Sequence, residues 1–424
     1  MKARFPFLIL LVLFVLLGFG VARAQKILIY MDLKQTDHLK AYGVAYWCLE
    51  RSINVEWLLN YRGGSFLLDY YPAVERELRL RGVAFSTVDG AAVAQIYAEI
   101  ESGNMDIILL EKAPKIAVYT PRHKQVWDDA VTLALTYAEI PYETVWDEEV
   151  LRGDLEKYDW LHLHHEDFTG QYGKFYANFR NAPWYIEEVM KNEKLARAHG
   201  FPSVSEEKKA VARKIKDYVA RGGFLFAMCS ATDTIDIALA AEGVDIVADV
   251  YDGDPPDPDC QSRLDYSKTF AFENFTIETN PLVYEHSSID IPPSNMPRVR
   301  NAEADYFTLF EFSAKYDPVP TMLTQNHVSV VKGFMGQLTA FNRKYIKKSV
   351  TIMAEVEGTD EVKYIHGNLG RGTFTFYGGH DPEDYQHFVY DPPTQLSLHK
   401  NSPGYRLILN NILFPAAKKK KRKT

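Results

Sequence analysis

The sequence predicts an α/β fold of mainly parallel, doubly wound sheets, with an N-terminal α/β unit and antiparallel β additions in the C-terminal part. Three observations lead there. Apolar runs of strand length alternate with helical patterns through the first half. A second strand-helix series starts after Lys112-Ala113-Pro114. Beyond residue 269 helical signals thin out, and short alternating strands with Gly turns at Gly370 and Gly372 replace them. Hydrophobic residues make up 46% of the 424 residues and aromatic residues 13%, enough apolar surface for a packed core without disulfide staples.

In order, residues 26–30 read as a strand, 38–51 as a helix and 55–59 as a second strand, followed by the turn Arg62-Gly63-Gly64. Residues 72–81 are helical, 83–88 a strand, 91–101 a helix and 106–110 a closing strand. These form a first unit, residues 25–112. The second unit, residues 113–416, opens with a strand at 116–119, a helix at 126–138 and strands at 143–146 and 160–163. An aromatic insertion, 169–202, reads as part helix. Residues 206–220 form a helix closed by Arg221-Gly222-Gly223, where glycine takes the left-handed cap. A buried strand follows at 224–228, then a helix at 235–241. Strands alternating with helices imply right-handed βαβ units around a parallel sheet.

The two ends differ from the body. Lys2 and Arg4 precede an apolar run over 5–19, and Ala22-Arg23-Ala24 supplies the small residues of a cleavage site. Residues 1–24 are therefore expected to be an export signal, giving a periplasmic or extracellular protein with no membrane-spanning segment after cleavage. Residues 417–424 form a basic tail. Of the 48 Lys and Arg, three lie in the leader and six at 418–423, so the body holds 39 against 56 acids, a net of −17. Such a body repels phosphate polymers, which excludes nucleic acid as its partner.

Ligands of open α/β sheets bind beyond the carboxyl ends of parallel strands. Three strand ends here carry reactive side chains. Residues 224–228 run into Cys229-Ser230 and then a helix, whose positive end would favour a thiolate. Residues 160–163 run into His164-His165-Glu166-Asp167. A strand at 373–377 runs through Gly378-Gly379 into His380-Asp381-Pro382-Glu383. A Cys, a His and a carboxylate are the parts of nucleophilic acyl transfer: the His handles the thiol proton and the carboxylate fixes the imidazole tautomer.

A Cys on a strand-to-helix turn together with a late strand ending in His and Glu resembles the class I glutamine amidotransferase-like (flavodoxin-like) fold, over roughly residues 114–416. The resemblance implies Cys229 as nucleophile, His380 as base and Glu383 as orienting acid. The strand ends themselves place His164, His165, Glu166, Asp167, Ser230 and Asp381 as the expected substrate pocket around them. The elbow Ala227-Met228-Cys229-Ser230-Ala231 lacks the family's flanking glycines, and Asp381 is inserted in the late His-Pro-Glu. The whole chain resembles a family of exported bacterial proteins labelled asparagine synthetase B. The segments that carry this are Leu58-Leu-Asn-Tyr-Arg-Gly-Gly-Ser-Phe66, Trp160-Leu-His-Leu-His-His-Glu-Asp-Phe-Thr-Gly170, Phe226-Ala-Met-Cys-Ser-Ala-Thr-Asp233 and Gly378-Gly-His-Asp-Pro-Glu-Asp-Tyr385. No Ser-Gly-Gly-x-Asp-Ser loop for ATP is present, so the label implies an amide-handling relative and not an ATP-dependent synthetase.

The leading expectation is an exported Cys-dependent amide or ester hydrolase acting on a small molecule, peptide or glycan, without a cofactor. A non-catalytic ligand-binding protein on the same fold is the alternative. A metal-dependent hydrolase using the cluster at 164–167, with or without His380, is the third, since imidazole and carboxylate together suit a divalent metal. Cys48 falls in an amphipathic helix and is expected in the core, and Cys260 is expected to be free.

Overall fold

The computed structural model describes residues 25–418 apart from residue 124, residues 292–302, 304, 318–320 and 387. The expected export signal and all but the start of the basic tail lie outside the described residues. Two sheets organise the rest. The first contains β1 (Lys26–Ile29), β2 (Val55–Leu59), β3 (Ser65–Asp69), β4 (Phe85–Val88) and β5 (Asp106–Leu110), in the order β4-β1-β3-β2-β5. Every neighbouring pair in it is antiparallel. The expectation of parallel βαβ units fails here for a local reason. Residues 60–64 do not simply end β2 but fold it back into β3, a strand the sequence reading missed. Asn60, Gly63 and Gly64 all take left-handed φ, at 62°, 74° and 89°. Side chains fit badly at the glycines, since a Cβ on Gly63 would sit 2.5 Å from the carbonyl oxygen of Met31. The hairpin inserts β3 between β1 and β2, which gives the split βαβ pattern.

The second sheet contains β6 (Ile116–Tyr119), β7 (Glu143–Val145), β8 (Trp160–Leu163), β9 (Phe224–Met228), β10 (Tyr306–Leu309), β11 (Val330–Lys332), β12 (Phe341–Asn342), β13 (Thr351–Glu355), β14 (Glu361–Leu369) and β15 (Gly372–Tyr377). Its order is β11-β10-β13-β14-β15-β9-β8-β6-β7, with β12 beside β14. The run β7-β6-β8-β9-β15 is parallel, and β14, β13, β10 and β11 extend it in antiparallel fashion. The fold is thus mixed α/β, with antiparallel additions in the C-terminal part as expected. Parallel pairing is confined to one half of one sheet, which corrects "mainly parallel". Within that half the strands stand in the order second, first, third, fourth, fifth, placing a topological switch point between β6 and β8.

Three helices, His38–Glu50, Ala130–Ala138 and Pro403–Leu413, pack together between the sheets. They share one core with the inner faces of both, from Ile27, Trp57 and Phe66 to Trp160, Phe226 and Phe307. The other face of the second sheet is covered by the helices Val204–Ala220 and Ala231–Ala240. Cys48 is fully buried in the first of these cores, as expected, and burial pushes its thiol up to about 12. Among the described residues no helix is long and apolar enough to cross a membrane.

Candidate functional site

Cys229 follows β9 directly, and the helix Ala231–Ala240 begins two residues later. The chain must reverse within one residue, and Cys229 does so with a left-handed φ of 49°. That conformation costs a non-glycine residue of order 1 kcal/mol or more and collects at functional turns. The turn is held from three sides. The Cys229 N–H donates to the Tyr377 carbonyl (3.3 Å), the Ala231 N–H to the His164 carbonyl (3.2 Å), and Ser230 Oγ to the His165 carbonyl (3.2 Å). The hydroxyl of Ser230 therefore serves the turn, not the pocket assigned to it from sequence.

Because β8 and β15 flank β9, their ends deliver His164, His165 and His380 around Cys229. The His164 and His380 rings lie 4.4 Å apart, His164 and His165 5.2 Å, and His165 and His380 5.6 Å. Cys229, His165 and His380 line one cleft of about 770 Å³, together with Trp127, Tyr284 and Gln337. Gly336 closes it from the far side: a Cβ there would lie 3.0 Å from Cys229 Sγ and 2.9 Å from the His380 backbone nitrogen. Burial pushes the Cys229 thiol up to about 11, while the N–H groups of Leu338, Ser230 and Gln337 pull the other way. Burial outweighs these donors and holds the thiol above its ordinary range, against the thiolate expected from the turn.

The acids behave differently from one another. Glu383 does not form the dyad that the resemblance implies, because its carboxylate stands 3.0 Å from Nδ1 of His399. The extra residue Asp381 turns the chain there: its carboxylate accepts the N–H of Glu383 (2.8 Å) and the Tyr405 hydroxyl (2.7 Å) and is wholly buried. Glu166 accepts the N–H of His164 (2.9 Å), and burial lifts its carboxyl to about 8. Asp167 accepts the N–H groups of Thr169, Gln171 and Gly173. Burial would raise Asp167, but His286 at 3.4 Å and these donors hold it well below the usual range. Glu166 and Asp167 face a smaller cavity of about 60 Å³, separated from the cleft by Trp127, His165 and Phe175, which line both. Two expected pocket acids are thus outside the Cys229 cleft.

Asp129 is the residue the sequence reading missed. It caps the helix Ala130–Ala138, accepting from the N–H groups of Val131 (2.7 Å) and Thr132 (2.9 Å). Its carboxylate also lies 3.3 Å from Nε2 of His162 and 3.6 Å from Nδ1 of His164. Burial would raise it, but the two imidazoles more than offset this and hold it far below the ordinary range. An Asp ahead of a helical run is a capping signal legible in sequence; the helix was expected from residue 126, which hid it. Two clusters could hold a metal: His164, His165 and His380, and Asp129, His162 and His164, in each of which the ligand atoms lie within 4.8 Å of one another. A third group, Asp245, Asp252 and Asp254, sits on the acidic loop. Cys260 is unpaired, as are Cys48 and Cys229.

No family model matches the chain, and no curated protein matches it. Among solved structures, it is similar to two cytoplasmic proteins from Salmonella typhimurium. STM3548 is 10% identical, with a TM-score of 0.34, over 72% of this chain and 100% of that one. STM1381 is 12% identical, with a TM-score of 0.33, over the same shares. A beta-galactosidase from Bacillus circulans sp. alkalophilus is 10% identical over 65% of this chain and 29% of its own, with a TM-score of 0.27. Likenesses this slight carry no functional argument.

Proposed function

We propose that the protein is an exported Cys-dependent hydrolase of an amide or ester, built on a class I glutamine amidotransferase-like core. The observation that carries this is Cys229 at a left-handed φ of 49° between β9 and a helix, opening on a cleft shared with His380. Strained single-residue elbows of this kind present a nucleophile at the top of a parallel sheet. The thiol rests protonated, so His380 takes its proton as sulfur bonds to the substrate carbonyl carbon. The N–H groups facing the sulfur, from Ser230, Gln337 and Leu338, stabilise the developing oxyanion. The C–N or C–O bond breaks with the proton returned to the leaving group, and water then cleaves the thioester. A small molecule, peptide or glycan fits the size of the cleft.

The test compares wild-type protein with Cys229→Ala on a panel of small amides, peptides and acylated sugars. Loss of amine, ammonia or acid release in a variant with an unchanged melting curve supports the reading, and equal rates in both sink it. One observation favours a non-catalytic ligand-binding protein instead: Glu383, the orienting acid the resemblance implies, is paired with His399. The convergence of three imidazoles favours a divalent metal and hence a metal-dependent hydrolase. In this arrangement His380 replaces the Glu166 and Asp167 expected as ligands.

A further inference from the structure

We propose that His164, His165 and His380 form a trihistidine site for zinc, and that the metal and Cys229 compete for His380. The second half rests on the hydrolase reading above; the metal site does not.

The donor atoms of the three side chains lie within 4.8 Å of one another. On a tetrahedral zinc with Zn–N bonds of about 2.05 Å, ligand nitrogens stand about 3.4 Å apart. The rings therefore need to close by little more than an ångström, which side-chain rotation supplies. Sharing one ion requires the His165 and His380 rings to rotate until their planes meet at it. His165 and His380 are nearly parallel, 18° apart, and His164 meets each edge-on, at 69° and 71°. All three come from turns anchored by the backbone. The carbonyls of His164 and His165 accept from Ala231 and Ser230, and the His380 N–H donates to the Met335 carbonyl at 2.9 Å.

The donor set selects the metal. Three neutral imidazoles suit zinc and its neighbours in the first transition row, whereas calcium and magnesium require oxygen. Metal-bound histidines are commonly oriented by a carboxylate on the far ring nitrogen. Asp129 is the nearest carboxylate to the far side of His164, 3.6 Å from Nδ1; on closing that gap it would keep the proton on Nδ1 and leave Nε2 as the ligand atom. The helix cap fixes Asp129 in turn. His165 and His380 both border the 770 Å³ cleft, so the fourth zinc position faces the space where a substrate would enter. That is the three-ligand, one-open arrangement of a catalytic rather than a structural zinc.

The same His380 is the only base the hydrolase reading assigns to the Cys229 thiol. A neutral imidazole has one basic lone pair. Once that pair binds metal it cannot take a proton from sulfur, so zinc occupancy and thiol activation exclude each other.

The experiment uses the full chain, stripped with a chelator and titrated with Zn²⁺ against a chromophoric competitor. One zinc per chain is expected. His165→Ala and His380→Gln should each weaken binding at least 100-fold, and Asp129→Asn about tenfold. Cys229→Ala should bind like wild type. His165 is only partly buried, so its variant guards against a result caused by unfolding, which melting curves monitor. Wild-type affinity in both histidine variants, or no binding by wild type, overturns the site. Where hydrolysis is measurable, stoichiometric zinc should abolish it in wild type; full activity in the zinc-loaded protein overturns the competition and leaves the site standing. If Cys229→Ala proves as active as wild type, the hydrolase reading fails while the titration still decides the metal.

Discussion

The guanidinium of Arg406, wholly buried, donates to the carbonyl of Met31 across 2.8 Å and joins the last helix to the end of the first strand. The same group donates to the Tyr42 hydroxyl (3.0 Å) and to the Gly63 carbonyl. It thereby satisfies the tight hairpin whose glycines leave no room for a side chain. Arg406→Met removes these donors, leaving the half-buried Gly63 carbonyl without the guanidinium and the Met31 carbonyl with the His38 ring alone, each lost bond costing about 1–3 kcal/mol. Urea unfolding should show a loss of at least 3 kcal/mol; a loss under 1 would show that water reaches the hairpin.

Beside Arg406, the rings of His38 and His327 stack with centroids 4.2 Å apart. Burial lowers His38 to about 4, with the Arg406 charge acting in the same direction. Burial, then His38 and Arg406, lower His327 to about 3. Unfolded histidine titrates near 6.5. The folded state binds fewer protons below that pH, so the contribution of this pair is complete above about 6.5. It declines on acidification towards 4, by about 1.4 kcal/mol per pH unit for each ring. Unfolding free energies at pH 7.5, 6 and 5 should fall accordingly, and His327→Gln should flatten the slope. An identical slope in the variant would assign the acid sensitivity to other groups.

Gly336 offers a test of the cleft that leaves every reactive group in place. Its added methyl in Gly336→Ala would meet Cys229 Sγ at 3.0 Å and the His380 backbone nitrogen at 2.9 Å. Any activity that uses Cys229 should fall by two orders of magnitude or more, and because the methyl also presses on the backbone of Gly379 and His380 the melting temperature should fall with it. Undiminished turnover would mean that the reacting atoms lie elsewhere.

A thiol at about 11 exposes very little thiolate at neutral pH, roughly one part in ten thousand. Iodoacetamide should therefore label Cys229 more slowly at pH 7 than a free cysteine peptide by about 100-fold. The rate should climb with pH up to 10. Rapid labelling at pH 6.5 would instead reveal a thiolate stabilised by an imidazolium.

Lys208 forms a buried pair with Asp147 at 2.7 Å and also reaches the Tyr119 hydroxyl at 2.9 Å. Lys208→Met strands the Asp147 charge and should cost about 3–5 kcal/mol. The double variant with Asp147→Leu should recover most of that. If it is no better than the single one, packing around the lysine stem and not charge is what was lost.

Much of the parallel half could be read from the chain because each strand there is a continuous apolar run flanked by helical periodicity. The residues at its ends, Cys229, His164, His165 and His380, followed from that reading. What stayed hidden depended on partners distant in sequence. Ser65–Asp69 pairs with β1 only because left-handed turns at 60–64 reverse the chain. The nine-residue β14 escaped notice because it is buried on both faces from Val362 to Gly367 yet carries Lys363, His366 and Gly367 there, so it shows neither strand alternation nor a continuous apolar run. Side-chain direction was the least legible of all. Glu383 sits in the right motif, yet one inserted residue, Asp381, turns it to His399. Asp129 sits far upstream in sequence and yet touches two of the histidines.

The helix Pro403–Leu413 lies between the two sheets and completes the core of both. The first unit therefore cannot close its apolar face until the last residues of the chain have been made. Its contacts with the helix His38–Glu50 span more than 350 residues, the kind of separation that slows folding. The core shared by the two sheets is thus the last to close, and the faces that packing elsewhere does not cover stay exposed until that helix docks.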